Sequence, residues 1–309
     1  MNKNLLFKLG TRGSPLAMWQ AERVQALLQE TNPGVVIEIE IIQTTGDKIL
    51  DKPLVQIGDK GLFTKEIEIA LVDGAIDLAV HSFKDLPTQL PEGLIISSIP
   101  ERDSPFDALI SRQSSSLSGL PANPVIATGS LRRKAQIMVA RPDAEVVDIR
   151  GNVNTRLQKF HDSDWDALIM AEAGMRRMGW VDKISGVLSI DEMLPAPAQG
   201  ALAIETRIDD QRTIALVESI NDSDTSVGVE AERAFLAELE GGCQVPIAAY
   251  SIIDGEIMTL HGLISSLDGK NLVRRTTEAS LSNPALTGCS LAQAIKTNGG
   301  QEIIDILSH

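Results

Sequence analysis

Two segments of this chain resemble each other, each an aspartate opening a short apolar run: Asp77-Leu78-Ala79-Val80 and Asp166-Ala167-Leu168-Ile169. Each run follows a similar succession. In the first, an apolar stretch over 5–9 leads to the turn Gly10-Thr11-Arg12-Gly13. Ser14 then caps a helix with Pro15 at its favoured first position. Apolar residues recur at helical spacing over 16–30, and a β-branched strand follows over 35–42. A helix over 63–72 and a strand over 76–80 end at His81-Ser82-Phe83-Lys84-Asp85-Leu86-Pro87. In the second succession a strand over 125–127 meets Thr128-Gly129-Ser130, a turn with a cap, and a helix over 131–140. A strand over 146–149, the cap Asn152 and a helix over 153–160 precede the second aspartate. The reading is two α/β domains facing each other across a cleft, with ligand held beyond the strand carboxyl ends.

The last third changes character. A helix over 225–240 breaks at Gly241-Gly242-Cys243, and strands are predicted over 245–252, 258–264 and 272–279. Asp254-Gly255 and Asp268-Gly269 are hairpin signals between them. A helix over 291–307, interrupted near Asn298-Gly299-Gly300, completes a small α+β domain with Cys243 at its entrance. With 309 residues, the chain exceeds one ordinary core.

A formal charge of −14 argues against nucleic acid as partner. The charge is uneven: residues 132–177 hold nine Lys/Arg against seven Asp/Glu, a local +2 that leaves −16 elsewhere. No apolar run is long enough to span a bilayer, and residues 1–10 lack the features of a signal peptide, so the cytoplasm is the expected compartment. Two cysteines and four scattered histidines form neither a disulfide framework nor a metal motif.

The helix capped by Ser130 carries Arg132, Arg133 and Lys134 in its first turn. The helix dipole disfavours cations there by roughly 0.3–1 kcal/mol each, so the arrangement asks for an anion at that end. Arg12, Arg150, Arg156 and the pair Arg176-Arg177 also lie where strand ends meet helix starts. They either converge on one anion-binding cleft or simply populate exposed loop mouths. Asp85, beside Lys84, is either a salt-bridge partner or a catalytic group that stabilises a cation. Cys243 either projects from its glycine turn or is a small buried hydrophobe. Cys289 has no comparable setting and reads as structural.

Taken together these segments resemble the porphobilinogen deaminase family over essentially the whole chain. The resemblance rests on Thr11-Arg12-Gly13-Ser14-Pro15-Leu16-Ala17, the segment from His81 to Pro87, and Gly129-Ser130-Leu131-Arg132-Arg133. It continues through Arg150-Gly151-Asn152-Val153 with Thr155-Arg156, and Leu194-Pro195-Ala196-Pro197-Ala198-Gln199-Gly200-Ala201. Glu240-Gly241-Gly242-Cys243-Gln244-Val245-Pro246 is its most specific element. It implies two α/β domains like those of periplasmic binding proteins, formed by 1–100 with 200–218 and by 105–195. A third, α+β, domain over 222–309 would carry the cysteine.

The resemblance further implies a dipyrromethane cofactor held by a thioether to Cys243. Four porphobilinogen units would be deaminated and joined to this primer, and the linear tetrapyrrole then released by hydrolysis. Each pyrrole bears acetate and propionate, so the arginines acquire a polyanionic partner, and loss of ammonia leaves a cation for Asp85 to stabilise. By matching position, Lys84, Ser130, Arg132, Arg133 and Arg156 would hold the cofactor's acids. Arg12, Ser14, Arg150 and Arg177 would hold the incoming porphobilinogen. No metal and no obligate protein partner is implied, and a monomer is expected.

The sequence departs from the family pattern at Gln56 and Asp59 in a loop near 50–62, at Gly129, and at Ala198 and Ala203, where glycine is usual. Two other classes share some of these features. A periplasmic-type binding module would have the paired domains without the cysteine-bearing one, and a cysteine-dependent transferase or hydrolase would keep Cys243 free.

Overall fold

A computed structural model describes residues 5–48, 64–239 and 245–307. Cys243 and the loop near 50–62, with Gln56 and Asp59, lie outside the described residues. The chain divides into two compact units, one formed by 1–102 with 201–226 and the other by 103–200 with 227–309.

In the first unit, strand β1 (Leu5–Thr11) leads into helix α1 (Pro15–Thr31), where Ser14 Oγ accepts the Ala17 N–H at 3.3 Å. Strand β2 (Val35–Ile41), the single turn α2 (Thr45–Lys48) and α3 (Lys65–Val72) precede β3 (Leu78–Ser82) and β4 (Leu94–Ser98). The sheet is completed from far along the chain by β10 (Leu202–Arg207), giving the order β2-β1-β3-β10-β4. The pairs β1–β2 and β1–β3 are parallel, whereas β10 runs antiparallel to both its neighbours. α1 and the later helix α7 (Gln211–Glu218) cover one face through Val24, Leu28, Leu216 and Val217, and α3 covers the other through Ile67 and Leu71.

The second unit repeats the scheme with the foreign strand supplied from the other side of the chain. β5 (Asp107–Ser111) enters first, followed by β6 (Val125–Ala127), α4 (Leu131–Ala140), β7 (Glu145–Val147), α5 (Val153–His161), β8 (Ala167–Ala171), α6 (Glu172–Arg177) and β9 (Gly186–Leu188). The order is β7-β6-β8-β5-β9, with β6 parallel to β7 and β8, and β5 antiparallel to β8 and β9.

The two aspartates perform the same local task. Asp77 Oδ2 accepts the Lys8 N–H at 2.7 Å while its own N–H donates to the Lys8 carbonyl. Asp166 Oδ2 accepts the Val125 N–H at 2.8 Å and returns its N–H to the Val125 carbonyl. Each aspartate thus clamps the parallel neighbour where their pairing begins, which sets the strand register that the backbone ladder then propagates.

Helix α8 (Ser223–Glu238) leads to the meander β11 (Ile247–Asp254), β12 (Ile257–Ser265) and β13 (Leu272–Ser280), which is antiparallel in sequence order. Helices α9 (Pro284–Ile295) and α10 (Gln301–Leu307) close its core with Phe235, Leu260 and Ile295. Gly262 is required there, because a Cβ would stand 2.6 Å from the Phe235 ring. Within the second unit this meander packs on the segment after β9, Ala248 and Leu263 meeting Leu194, and Phe106 meets Tyr250 edge-on at 5.9 Å.

Several elements go beyond the sequence reading. The strands β4, β5, β9 and β10 and the helices α6 and α7 were not anticipated. The final helix begins at Pro284 rather than 291, because Asn283 caps it and Pro284 takes its first turn.

Candidate active site

The first unit places four of the anticipated residues at one edge. β1 and β3 are parallel neighbours, so their carboxyl ends lie side by side. Arg12 is one residue beyond β1, Ser14 caps α1, and Lys84 and Asp85 occupy a single 3₁₀ turn, Phe83–Asp85, directly after β3. Arg12, Ser14 and Lys84 are half-buried and Asp85 is exposed.

Buried contacts hold that turn from both faces of the sheet. Gln20 Nε2 donates to Ser82 Oγ at 2.8 Å on the α1 side. His81 Nε2 lies 3.0 Å from Glu205 Oε2 on the α3 side, with Glu205 fully buried. Phe83 is buried and its N–H donates to the Ala201 carbonyl. The sequence reading missed Gln20 and Glu205, since nothing local marks a residue that supports a turn from another element. Glu68, on the same side as His81, has its carboxyl raised above the usual range by burial, with Glu205 adding to the rise and Thr64 and His81 opposing it.

The second unit gathers the rest. β6, β7 and β8 are parallel, and their carboxyl ends carry Ser130, Arg150 and the helix ending in Arg177. Ser130 Oγ accepts the Arg133 N–H at 3.4 Å, as a cap should. The turn before it comes very close to the chain just after β7: a Cβ on Gly129 would lie 2.5 Å from the Ile149 carbonyl oxygen, so a larger residue there would require the backbone to shift. Arg150 Nε is 3.4 Å from Asp148 Oδ2, and Arg156 Nε donates to the Gly151 carbonyl at 2.8 Å.

Three anticipated anion binders are buried and also engaged with the protein. Arg132 and Arg133 are 6% and 5% exposed, and both meet Asp107, which is fully buried at the start of β5. Arg132 Nη2 reaches Asp107 Oδ2 at 2.8 Å and its Nη1 donates to the Leu194 carbonyl at 2.7 Å. Arg133 donates to Asp107 Oδ1 from Nε at 3.1 Å and Nη2 at 2.8 Å. Gln199 Nε2 adds a donor to Oδ1 at 2.9 Å. Arg177 donates to the Gly200 carbonyl at 2.6 Å and lies 3.3 Å from Asp103.

The helix-start cations therefore have a partner within the fold. The anion that offsets the first-turn cations is, in the first place, Asp107, and only Lys134 of the three stays exposed. Burial alone would raise the Asp107 carboxyl, but Arg132, Arg133 and their hydrogen bonds overcome it and hold it down at about 2. Burial pushes the guanidinium of Arg132 below its ordinary value, with Asp107 opposing, and Arg177 is lowered by burial in the same way. Two guanidiniums against one carboxylate leave a buried excess of one positive charge. The Nε of Arg132 has no hydrogen-bond partner among the described residues.

Residues 7–215 match the family model described as porphobilinogen deaminase, dipyromethane cofactor binding domain, and residues 227–297 match that of the porphobilinogen deaminase C-terminal domain. The chain belongs to the porphobilinogen deaminase family. Among curated relatives it is similar to the porphobilinogen deaminase of Syntrophotalea carbinolica, 47% identical over 300 residues covering 97% of this chain and 95% of that one. It is also similar to that of Syntrophomonas wolfei, 48% identical over 297 residues covering 96% and 97%. Among solved structures it is similar to a nutrient binding protein from Burkholderia cenocepacia bound to methionine, 14% identical, covering 71% of this chain and 93% of that one, with a TM-score of 0.44. The family's cofactor-binding model spans both five-stranded sheets, and its C-terminal model spans the meander and α9. Among the described residues no cluster of His, Cys, Asp and Glu could hold a metal, and no helix is long and apolar enough to cross a membrane.

Proposed function

We propose that this chain, as a hydroxymethylbilane synthase, uses Asp85 as its catalytic carboxylate and the cationic strand edges of its two units to bind pyrrole carboxylates. The observation that carries the assignment of the acid-binding residues is the buried trio of Asp107, Arg132 and Arg133. Its excess positive charge and the unpartnered Arg132 Nε fit an added carboxylate, as a dipyrromethane would supply. When bound through Cys243, dipyrromethane offers a free pyrrole α-carbon onto which the chain grows. Ser130, Arg132, Arg133, Arg156 and Lys84 hold its acids, and Arg12, Ser14, Arg150 and Arg177 orient the incoming porphobilinogen.

In this reading the aminomethyl C–N bond of porphobilinogen breaks, ammonia leaves, and the ring becomes an azafulvene cation. Asp85 stabilises that cation, and the turn that carries it is fixed beforehand by the contacts of Ser82, Phe83 and His81. The new C–C bond then forms with loss of a proton from the attacked carbon. After four additions, hydrolysis releases linear hydroxymethylbilane. The reaction is placed in the cytoplasm on a single chain, without nucleic acid or an obligate partner, and the net charge of −14 supports the exclusion of nucleic acid.

The test is steady-state turnover of purified protein with porphobilinogen, scoring ammonia and linear tetrapyrrole together. Four ammonia per tetrapyrrole is the result expected. Ammonia release without a tetrapyrrole would refute the polymerising role.

A further inference from the structure

One buried carboxylate takes no part in the chemistry above. Glu232 lies in the middle of α8 and is fully buried, where an ionised carboxylate is costly unless donors surround it. Its Oε1 accepts the Ser251 N–H at 2.9 Å and the Ser251 hydroxyl at 2.8 Å, tying α8 to β11. Its Oε2 accepts the Ala198 N–H at 2.7 Å, tying α8 to the segment before β10. Ala198 is buried with φ at 60°, a left-handed conformation that strains a residue with a Cβ. Strain at a fully buried position persists only where surrounding contacts enforce it.

From Ala198 the contacts continue. Gln199 donates to the Pro105 carbonyl at 2.7 Å and to Asp107 Oδ1 at 2.9 Å, and Asp107 holds Arg132 and Arg133. Leu194, at the other end of the segment, receives Arg132 and Gln136 at its carbonyl and donates its N–H to Gln136 Oε1. The stretch 194–199 is thus bonded to α4 at one end and to α8 at the other, through buried groups throughout.

We propose that Glu232 is a positioning residue: it fixes where α8 and β11, the described elements that flank Cys243 in sequence, stand relative to the Arg132–Arg133 pair. The inference rests on the reading that Cys243 carries the primer. A primer anchored by a covalent bond has its acid groups at distances set by its own skeleton. The anchor and the guanidiniums must therefore keep a matching separation, and a misplacement of about 1 Å can lower a rate about a hundredfold. A hydrogen-bonded path with one strained residue is a means of holding that separation.

The experiment uses Glu232→Gln, whose single amide oxygen can serve Ser251 or Ala198 but not both, with Ser251→Ala as control. Ser251→Ala removes the hydroxyl donor and leaves the Ala198 link. Apo-forms of wild type and variants are mixed with porphobilinogen well below their melting temperatures, and the gain of pyrrole mass is followed by intact-mass spectrometry. Loaded protein is then assayed for kcat and KM. Glu232→Gln is expected to load about ten-fold more slowly and to lose kcat with KM within about two-fold. Ser251→Ala is expected to load at the wild-type rate even if it melts lower. If Glu232→Gln does not fold, Glu232→Asp, too short to span both partners, is expected to show the same loading defect. Wild-type loading by the folded Glu232 variant, or loading that merely tracks lost stability in both variants, would overturn the proposal. Wild type that gains no pyrrole mass at all would instead remove the thioether reading beneath it.

Discussion

Arg132 Nη2 and Asp107 Oδ2 lie 2.8 Å apart with both side chains buried, so the cation that opens α4 has an anionic partner within the fold. Its consequence is a sign. If only an external polyanion offset these cations, Arg132→Leu would stabilise the apo-protein by relieving repulsion. With Asp107 in place it should destabilise the apo-protein as well as the loaded one, by about 1–3 kcal/mol, because a buried carboxylate loses one of its donors. Urea melts of the variant in a Cys243→Ser background, which keeps the protein apo, check this. A rise in stability would contradict it.

Asp107 itself predicts an acid limb. Its folded-state carboxyl is held at about 2, below the ordinary value of 3.8. A depressed carboxyl contributes stability that is fully present above the unfolded value and is lost as pH falls towards the folded one. The window is therefore from about pH 4 down to about pH 2, and a shift of this size corresponds to roughly 2–3 kcal/mol. Denaturant titrations across that range should show the loss in wild type. Asp107→Asn should be less stable at neutral pH and show a flatter acid limb, since the titrating group is gone.

Much of this was legible beforehand, and the parts that were not share a cause. The caps Ser14, Ser130 and Asn152 all bind the backbone N–H three residues on, because capping is a local transaction. β5 and β10 were missed although each sits inside a sheet, because their neighbours are distant in sequence. A signal for Asp107 was present: Asp107-Ala108-Leu109-Ile110 repeats Asp166-Ala167-Leu168-Ile169 letter for letter. The direction of the strand decides the difference. β5 runs antiparallel to β8, with Asp107 opposite Ala171, so its aspartate arrives at the edge where the arginines are, while Asp166 stays at the far edge clamping Val125. Composition and spacing carry no information about that reversal.

Ala198 offers a test that is independent of chemistry. Its φ of 60° strains a residue with a Cβ, while glycine would adopt the same conformation freely. Ala198→Gly should keep the N–H bond to Glu232 and raise stability by about 0.5–1 kcal/mol, after allowing for glycine's greater freedom in the unfolded chain. Equilibrium unfolding measures it, and a destabilised variant would show that the strain is absent.

Asp85 is exposed on a short turn whose anchors are other residues, so Asp85→Asn should fold and melt like wild type. Turnover should fall about a hundredfold or more, in kcat rather than KM, because the azafulvene cation exists only beyond the ground state. Near-normal kcat would make Asp85 a surface charge.

The central claim, that Cys243 carries a dipyrromethane primer served by the Arg132–Arg133 site, is tested most directly by the intact mass of the purified protein. Wild type and Cys289→Ser should each exceed the mass of their sequence by two porphobilinogen units less the ammonia lost, and Cys243→Ser should match its sequence mass. A fully active wild type at its bare sequence mass would contradict the account.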